Sequence, residues 1–186
     1  DRVGADITVI AKAIGMDYRI GPKFLNAGIG YGGSCFPKDV KALISTAREK
    51  GYDAKILSEV DAFNERQKEI FVPTVADTLK KSGGHVVTCW GLSFKPKTSD
   101  LRGAPSLSII PRLLGLGYQV RVYDPVAVDE ARSIFGNSLV YCNSLEESVK
   151  GSSAILLLTE WDEFRNLNLS EMGVYMRDKV LLDGRN

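Results

Sequence analysis

Ala154-Ile155-Leu156-Leu157-Leu158 is a strand-length run with no charged or hydrogen-bonding side chain. A strand without a polar face is covered on both sides, the habit of parallel sheets. Around it, short apolar segments alternate with helical ones. His85 to Leu92 reads as a strand, Pro105 to Leu114 as a helix, and Gln119 to Tyr123 as a strand ended by Asp124-Pro125. Val128 to Phe135 reads as a helix and Leu139 to Tyr141 as a short strand. Ser144 to Lys150 is a helix capped by Ser144, with Glu147 at the capping-box position. Val180 to Asp183 is the last strand. Strand and helix in alternation predict a Rossmann-like, doubly wound parallel sheet. Such a sheet binds ligands at the carboxyl ends of its strands. There lie Gly91 to Arg102, Asp124-Pro125, Thr159 to Asp162 and Asp183 to Arg185.

Before Ser82-Gly83-Gly84 the texture is helical. Asp6 to Ile14 is a short helix with Asp6 as its cap and Gly15 as its end. Gly21 to Gly33 is loop. A second helix runs from about Pro37 to Lys50, with Val40, Leu43, Ile44 and Ala47 on one face and Gly51 as its stop. Residues 54–81 form a long helical pattern striped by Ile56, Val60, Phe63, Ile70, Val75 and Leu79. Pro73 inside it is expected to kink or divide it. A stripe this long has to be covered, and the expected surface is a second subunit, making a homodimer. The chain is therefore α/β, with a helical dimerisation segment at 1–82 and the Rossmann-like domain at 83–186.

Composition narrows the function classes. Of 186 residues, 44% are hydrophobic and 25% charged, as in ordinary globular proteins. The net charge is +1, which leaves no footprint for nucleic acid or an acidic membrane surface. No apolar run is long enough to span a bilayer, and no signal peptide is expected. Three cysteines without metal-ligand spacing read as reduced thiols of a cytoplasmic protein. The chain opens on Asp1-Arg2, without Met, and so reads as part of a longer protein.

One of those cysteines stands apart. Gly28-Ile29-Gly30-Tyr31-Gly32-Gly33-Ser34-Cys35-Phe36-Pro37-Lys38-Asp39 puts Cys35 between a glycine-rich loop and a helix start. Glycines allow φ > 0 and close backbone approach to a ligand. Pro37 suits a first helical turn. A helix start favours the thiolate, the reactive form of a thiol. Lys38 adds a positive charge, and Asp39 a carboxylate one turn after Cys35. The run follows no strand, so it is no dinucleotide fingerprint. Cys89 and Cys142 fit ordinary buried thiols, and His85, the one histidine, has no evident catalytic partner. The first βα loop, Gly91 to Arg102, lacks G-x-G-x-x-G and is long and basic, with Lys95, Lys97 and Arg102. It suits a diphosphate held by side chains, or simply a solvated loop.

These stretches together resemble the UDP-glucose 6-dehydrogenase family among nucleotide-sugar dehydrogenases. The matching segments are Ala13 to Gly21, Lys23-Phe24-Leu25, Gly28 to Asp39, Phe94 to Pro105, and Asp183-Gly184-Arg185-Asn186. Dehydrogenases of UDP-N-acetylmannosamine tend to carry a histidine where this chain has Ser34. Those of GDP-mannose keep a similar cysteine run and stay open as an alternative, beside a non-catalytic nucleotide-binding and dimerisation module. A thiol redox sensor at Cys35 is a weaker rival.

The resemblance implies an NAD-dependent oxidation of a sugar C6 alcohol to a carboxylate in two hydride transfers. Cys35 matches the nucleophile and Asp39 the aspartate that assists water and proton transfer. Asn26 to Gly32, with Gly28, Gly30 and Tyr31, match the loop around the UDP-sugar, and Phe24 and Leu25 lie in the adjoining contact segment. Phe94, Lys95 and Arg185 match substrate contacts, and Arg19 an arginine lent to the neighbouring subunit. Cys35, Lys38 and Arg102 match NAD contacts; no metal is implied. The resemblance also implies that the family's NAD-binding domain is not represented here, so the chain alone is expected to be inactive.

Overall fold

Asp6 accepts hydrogen bonds from the backbone N–H groups of Thr8 and Val9 and so starts α1 (Ile7–Gly15), as expected of its position. The computed structural model describes residues 3–185; Asp1, Arg2 and Asn186, used in the reading above, lie outside the described residues. Helix α2 (Phe36–Glu49) begins directly after Cys35, its N-cap residue, with Pro37 in the first turn. Of the face expected to be buried, Ile44 is buried while Leu43 is exposed.

Helix α3 (Lys55–Ser82) is a single helix of 28 residues, so Pro73 does not divide it. Pro73 itself is exposed, and Val72, Val75 and Ala76 on either side of it are buried. The carbonyl that the proline ring leaves without an N–H partner can turn to water, while packing holds both flanks in line.

The sheet comprises β1 (Val86–Trp90), β2 (Gln119–Tyr123), β3 (Val140–Tyr141), β4 (Ala154–Leu157) and β5 (Leu181–Asp183). All pairings are parallel, in the order β3-β2-β1-β4-β5, as the strand–helix alternation requires. Val87 of the central strand sits between Val120 and Ala154. Side chains alternate between two cores. Val87, Cys89 and Leu156 face α3 and α4 (Pro105–Gly115), meeting Val75, Leu79, Ile109 and Leu113. Helix α5 (Val128–Phe135) adds Ala131 to that side. Trp90 and Ile155 face the other way, onto Val149 of α6 (Leu145–Val149). Ser144 accepts from Glu147 N–H at 3.1 Å, and the Glu147 carboxylate reaches back to Asn143 N–H at 2.7 Å.

Two helices were not expected from the sequence: α7 (Asp162–Arg165) and α8 (Leu169–Tyr175). With 4 and 7 residues they are too short for a clear helical period. Their packing is decisive instead: Phe164 stacks on Trp90 at 5.5 Å between ring centroids, and Met172 joins the same core.

The burial of α3 corrects one expectation. Its second half, with Val72, Val75 and Leu79, belongs to the sheet's core, so the 54–81 stripe is not free as a whole for another subunit. Ile56, Val60 and Phe63, in the first half, and Ile70 remain exposed.

Candidate active site

Asp124, directly after β2, is the residue that gathers the loops. Its carboxylate is 3% exposed. One oxygen accepts from the Leu92 and Ser93 N–H groups at 2.7 and 3.4 Å and from the Trp161 indole at 3.3 Å. The other accepts from Val126 and Ala127 N–H at 3.0 and 2.8 Å. The ends of β1, β2 and β4 are thereby tied to one charge. Gly91 (φ +82) lies so close to β4's end that a Cβ would stand 2.5 Å from Thr159 Cβ. Thr159 donates to the Ser93 carbonyl at 2.5 Å.

The glycine run docks onto this edge. Ile29 N–H donates to Gly184 O at 2.9 Å and Gly33 N–H to Arg102 O at 2.8 Å. At Gly32 a Cβ would fall 2.3 Å from Gly103 O, so no larger residue fits without moving backbone. On its other side the loop lies on α3. The buried Asn64 accepts from Tyr31 N–H at 2.7 Å and donates to Tyr31 O at 3.1 Å. The Tyr31 ring packs edge-on against Phe36, 4.8 Å between centroids. Burial pushes the Tyr31 phenol above its ordinary value, and Asp61 and Glu65 push in the same direction.

Between loop, α3 and sheet edge lies a cleft of about 1020 Å³. Asn26, Gly28, Gly30, Tyr31 and Gly32 line one side. Phe94, Lys95 and Arg185 come from the sheet's carboxyl edge, and Phe24 closes the rim. These residues, chosen from the sequence, are brought together around one space. Lys95 stands over the Phe94 ring at 5.4 Å. Arg185 is held by Glu160, with Nη2 to Oε1 at 3.0 Å, and packs against Gly28.

Six candidates fall outside the cleft lining: Arg19, Leu25, Cys35, Lys38, Asp39 and Arg102. Leu25 lines a separate hollow of about 310 Å³ beside α1. Arg19 is exposed and clamps Asp17, which raises the guanidinium and lowers the carboxyl relative to their ordinary values. Cys35, Lys38 and Asp39 stand on the exposed start of α2, next to Phe36, whose ring lines the cleft. Ser34 Oγ is 3.6 Å from Cys35 Sγ, Asp39 N–H donates to Cys35 O at 2.8 Å, and Lys38 pairs with Asp39 at 3.5 Å. Arg102 holds Asp100 through two nitrogens, which keeps the Asp100 carboxyl low and raises the guanidinium; Cys35 lies near enough to raise it further. Cys89 and Cys142 are buried, and burial pushes the Cys89 thiol up to about 12. His85 is exposed at the opposite end of β1. No cluster of three metal-ligating side chains occurs among the described residues. No helix among them is long and apolar enough to cross a membrane.

Sequence reading missed the α3 wall of the cleft: Ile56, Val60, Phe63, Asn64 and Gln67. A signal was present, since Asn64 continues the Ile56–Val60 spacing as a polar residue on an apolar stripe.

Residues 1–66 match the central domain of the UDP-glucose/GDP-mannose dehydrogenase family, and residues 88–186 its UDP binding domain. The chain is 41% identical, over its full 186 residues, to UDP-glucose 6-dehydrogenase TuaD of Bacillus subtilis, covering 40% of that protein. It is 43% identical over 189 aligned positions to UDP-glucose 6-dehydrogenase of Pseudomonas aeruginosa, covering 98% of this chain and 42% of that one. Among solved structures, a UDP-glucose dehydrogenase from Pyrobaculum islandicum superposes with a TM-score of 0.88 at 32% identity, over all of this chain and 41% of the other. A GDP-mannose dehydrogenase from Pseudomonas aeruginosa superposes with a TM-score of 0.74 at 27% identity, over 98% and 43%. The chain thus spans about two-fifths of the length of these relatives. With its helical segment and its α/β sheet both matched, the chain belongs to the UDP-glucose/GDP-mannose dehydrogenase family.

Proposed function

We propose that this chain forms the nucleophile and UDP side of an NAD-dependent UDP-glucose 6-dehydrogenase, with a helical unit at 1–82 and a UDP-binding unit at 83–186. The observation that carries the reading is the cleft in which Gly28 to Gly32 face Phe94, Lys95 and Arg185, with Cys35 just beyond it as the N-cap of α2. UDP-glucose is favoured over GDP-mannose because the relatives at 41% and 43% identity are named for UDP-glucose, whereas the GDP-mannose structure stands at 27%.

In this reading the loop backbone and Asn26 hold the sugar and nucleotide, and Lys95 and Arg185 meet the diphosphate. A point-charge lysine and a planar arginine both suit that group. Lys38, Arg102 and the backbone around Cys35 fit the edge of NAD: both side chains are exposed cations, and Arg102 is pinned to the Cys35 loop through Gly33 N–H. Bound NAD supplies the acceptor for both hydrides, from the alcohol and then from the thiohemiacetal. Cys35 Sγ, as thiolate, adds to the carbon of the intermediate aldehyde, forming a C–S bond and an oxyanion that takes up a proton. After oxidation to the thioester, water attacks the same carbon, the C–S bond breaks and the thiolate leaves with its electron pair. Asp39 takes the proton from that water.

The exposed Ile56, Val60 and Phe63 support a homodimer seated on the first half of α3. The test is turnover of UDP-glucose and NAD by the full-length enzyme carrying Cys35→Ser. Acid formation is expected to fall by roughly three orders of magnitude or more. An unchanged rate would remove Cys35 from the chemistry. The isolated chain is expected to form no NADH.

A further inference from the structure

The side chain of Asn64 is 5% exposed, on the turn of α3 where the apolar wall of the cleft gives way to the sheet's core. Both functions of its amide are used, and both on one residue: Oδ1 takes Tyr31 N–H at 2.7 Å, and Nδ2 gives to Tyr31 O at 3.1 Å. This is how a neighbouring strand would hold that residue, but it is done by one side chain from 33 positions away. Gly30, beside it, has φ +125, and a Cβ there would stand 3.0 Å from Asn64 Oδ1 and 3.3 Å from Lys68 Cε. Lys68, one turn along α3, is itself buried and paired with Glu65 at 2.8 Å. The Gly30–Tyr31 peptide therefore rests on a floor made by Asn64 and Lys68.

We infer that Asn64 is a positioning residue for the UDP-sugar: it holds the Gly30–Tyr31 backbone in its binding form before the substrate arrives. The inference rests on the proposed UDP-glucose dehydrogenase reading, in which this loop carries the sugar nucleotide. A loop already ordered loses less conformational entropy on binding, so the clamp acts on substrate affinity. Both polar groups of the Asn64 amide are spent on Tyr31, so its effect on substrate runs through the Gly30–Tyr31 backbone. NAD affinity and the cysteine chemistry should hardly respond.

The test uses the full-length enzyme with Asn64→Ala and the isosteric Asn64→Asp. The aspartate keeps an acceptor for Tyr31 N–H but has no donor for Tyr31 O at neutral pH. Losing both bonds is expected to raise KM for UDP-glucose roughly ten- to a hundredfold in Asn64→Ala. Asn64→Asp should raise it as well, with KM for NAD unchanged in both variants. An unaltered UDP-glucose KM in both would overturn the inference. So would a parallel change in both KM values and kcat, which signals a general structural defect. If the unsubstituted enzyme ignores UDP-glucose, it is the underlying reading that fails. Hydrogen exchange at the Tyr31 amide needs no substrate and still decides the clamp: faster exchange in Asn64→Ala supports it, an unchanged rate refutes it.

Discussion

Replacing Asp124 by alanine should cost this domain more than any other single change at the sheet's carboxyl edge. The carboxylate accepts from the backbone of Leu92, Ser93, Val126 and Ala127 and from the Trp161 indole, and it is 3% exposed. The Leu92 and Ala127 bonds, at 2.7 and 2.8 Å, are short enough to carry most of the strength. A buried donor left without its partner costs about 1–3 kcal/mol. Two such donors, with some recovery by water in the space left behind, put Asp124→Ala at about 3–5 kcal/mol. At roughly 2–4 °C per kcal/mol for a chain of this size, the midpoint should drop by about 10 °C. Asp124→Asn keeps one oxygen but turns an NH₂ group toward the donors that the other served. Because each oxygen serves a different set of loops, no flip of the amide satisfies both, and the loss should be at least half that of alanine. Thermal unfolding followed by far-ultraviolet circular dichroism reads the effect. A loss below about 1 kcal/mol in Asp124→Ala would show that the three strand ends hold together without the charge, contrary to the reasoning.

Gly32→Ala should displace the glycine run from the sheet edge, because its Cβ would fall 2.3 Å from Gly103 O, a backbone atom with little room to retreat. UDP binding by the full-length enzyme, measured by calorimetry, should weaken by at least about tenfold, while Gly115→Ala, with nothing within 4 Å of the added Cβ, should leave it alone. Brief treatment of the native chain with iodoacetamide at pH 8 should label Cys35 and spare Cys89. The sign follows from burial: the Cys89 thiol is pushed up to about 12, so near pH 8 it stays protonated and unreactive, whereas Cys35 is exposed. Mass spectrometry of the peptides checks this, and labelling of Cys89 at the pace of Cys35 would contradict the buried position of β1.

The parallel sheet was legible because its strands carry their own evidence. Ala154 to Leu157 has no polar side chain to present to water, and Asp124-Pro125 marks where β2 must stop. Helices α7 and α8 were not legible, for they exist through contacts: Phe164 on Trp90 and Met172 on the same core, rather than through any period of their own. Pro73 misled in the opposite direction. Its local tendency to break α3 is real, but the buried turns on either side outweigh it. The glycine run was legible because glycines report a backbone need, and here that need is the contact of Gly32 with Gly103 and the positive φ of Gly30 and Gly33. What holds that run was harder to read, since an asparagine on the apolar stripe of a helix signals a buried polar contact but not its partner until the loop is placed over it.

Helix α3 carries the strongest link between fold and site. Its second half is fixed in the sheet's core by Val72, Val75 and Leu79, and its first half forms the cleft wall with Ile56, Val60 and Phe63. Asn64 and Lys68 lie at the changeover, under the glycine loop. A helix transmits position along its axis because its hydrogen-bond ladder resists bending. The position of the Tyr31 peptide is therefore inherited in part from how α3 seats on the sheet's core, beside the loop's own bonds to Gly184 and Arg102. This explains why the loop can be glycine-rich, with Ile29 and Tyr31 as its side-chain anchors, while still presenting a defined surface. It also separates two sensitivities. Changes in the core around Leu79 should reach the site only by tilting α3, whereas changes at Asn64 act on the loop with α3 unmoved. A site built this way keeps its geometry as long as the sheet keeps its packing, and the adjustable element is the single side chain between them.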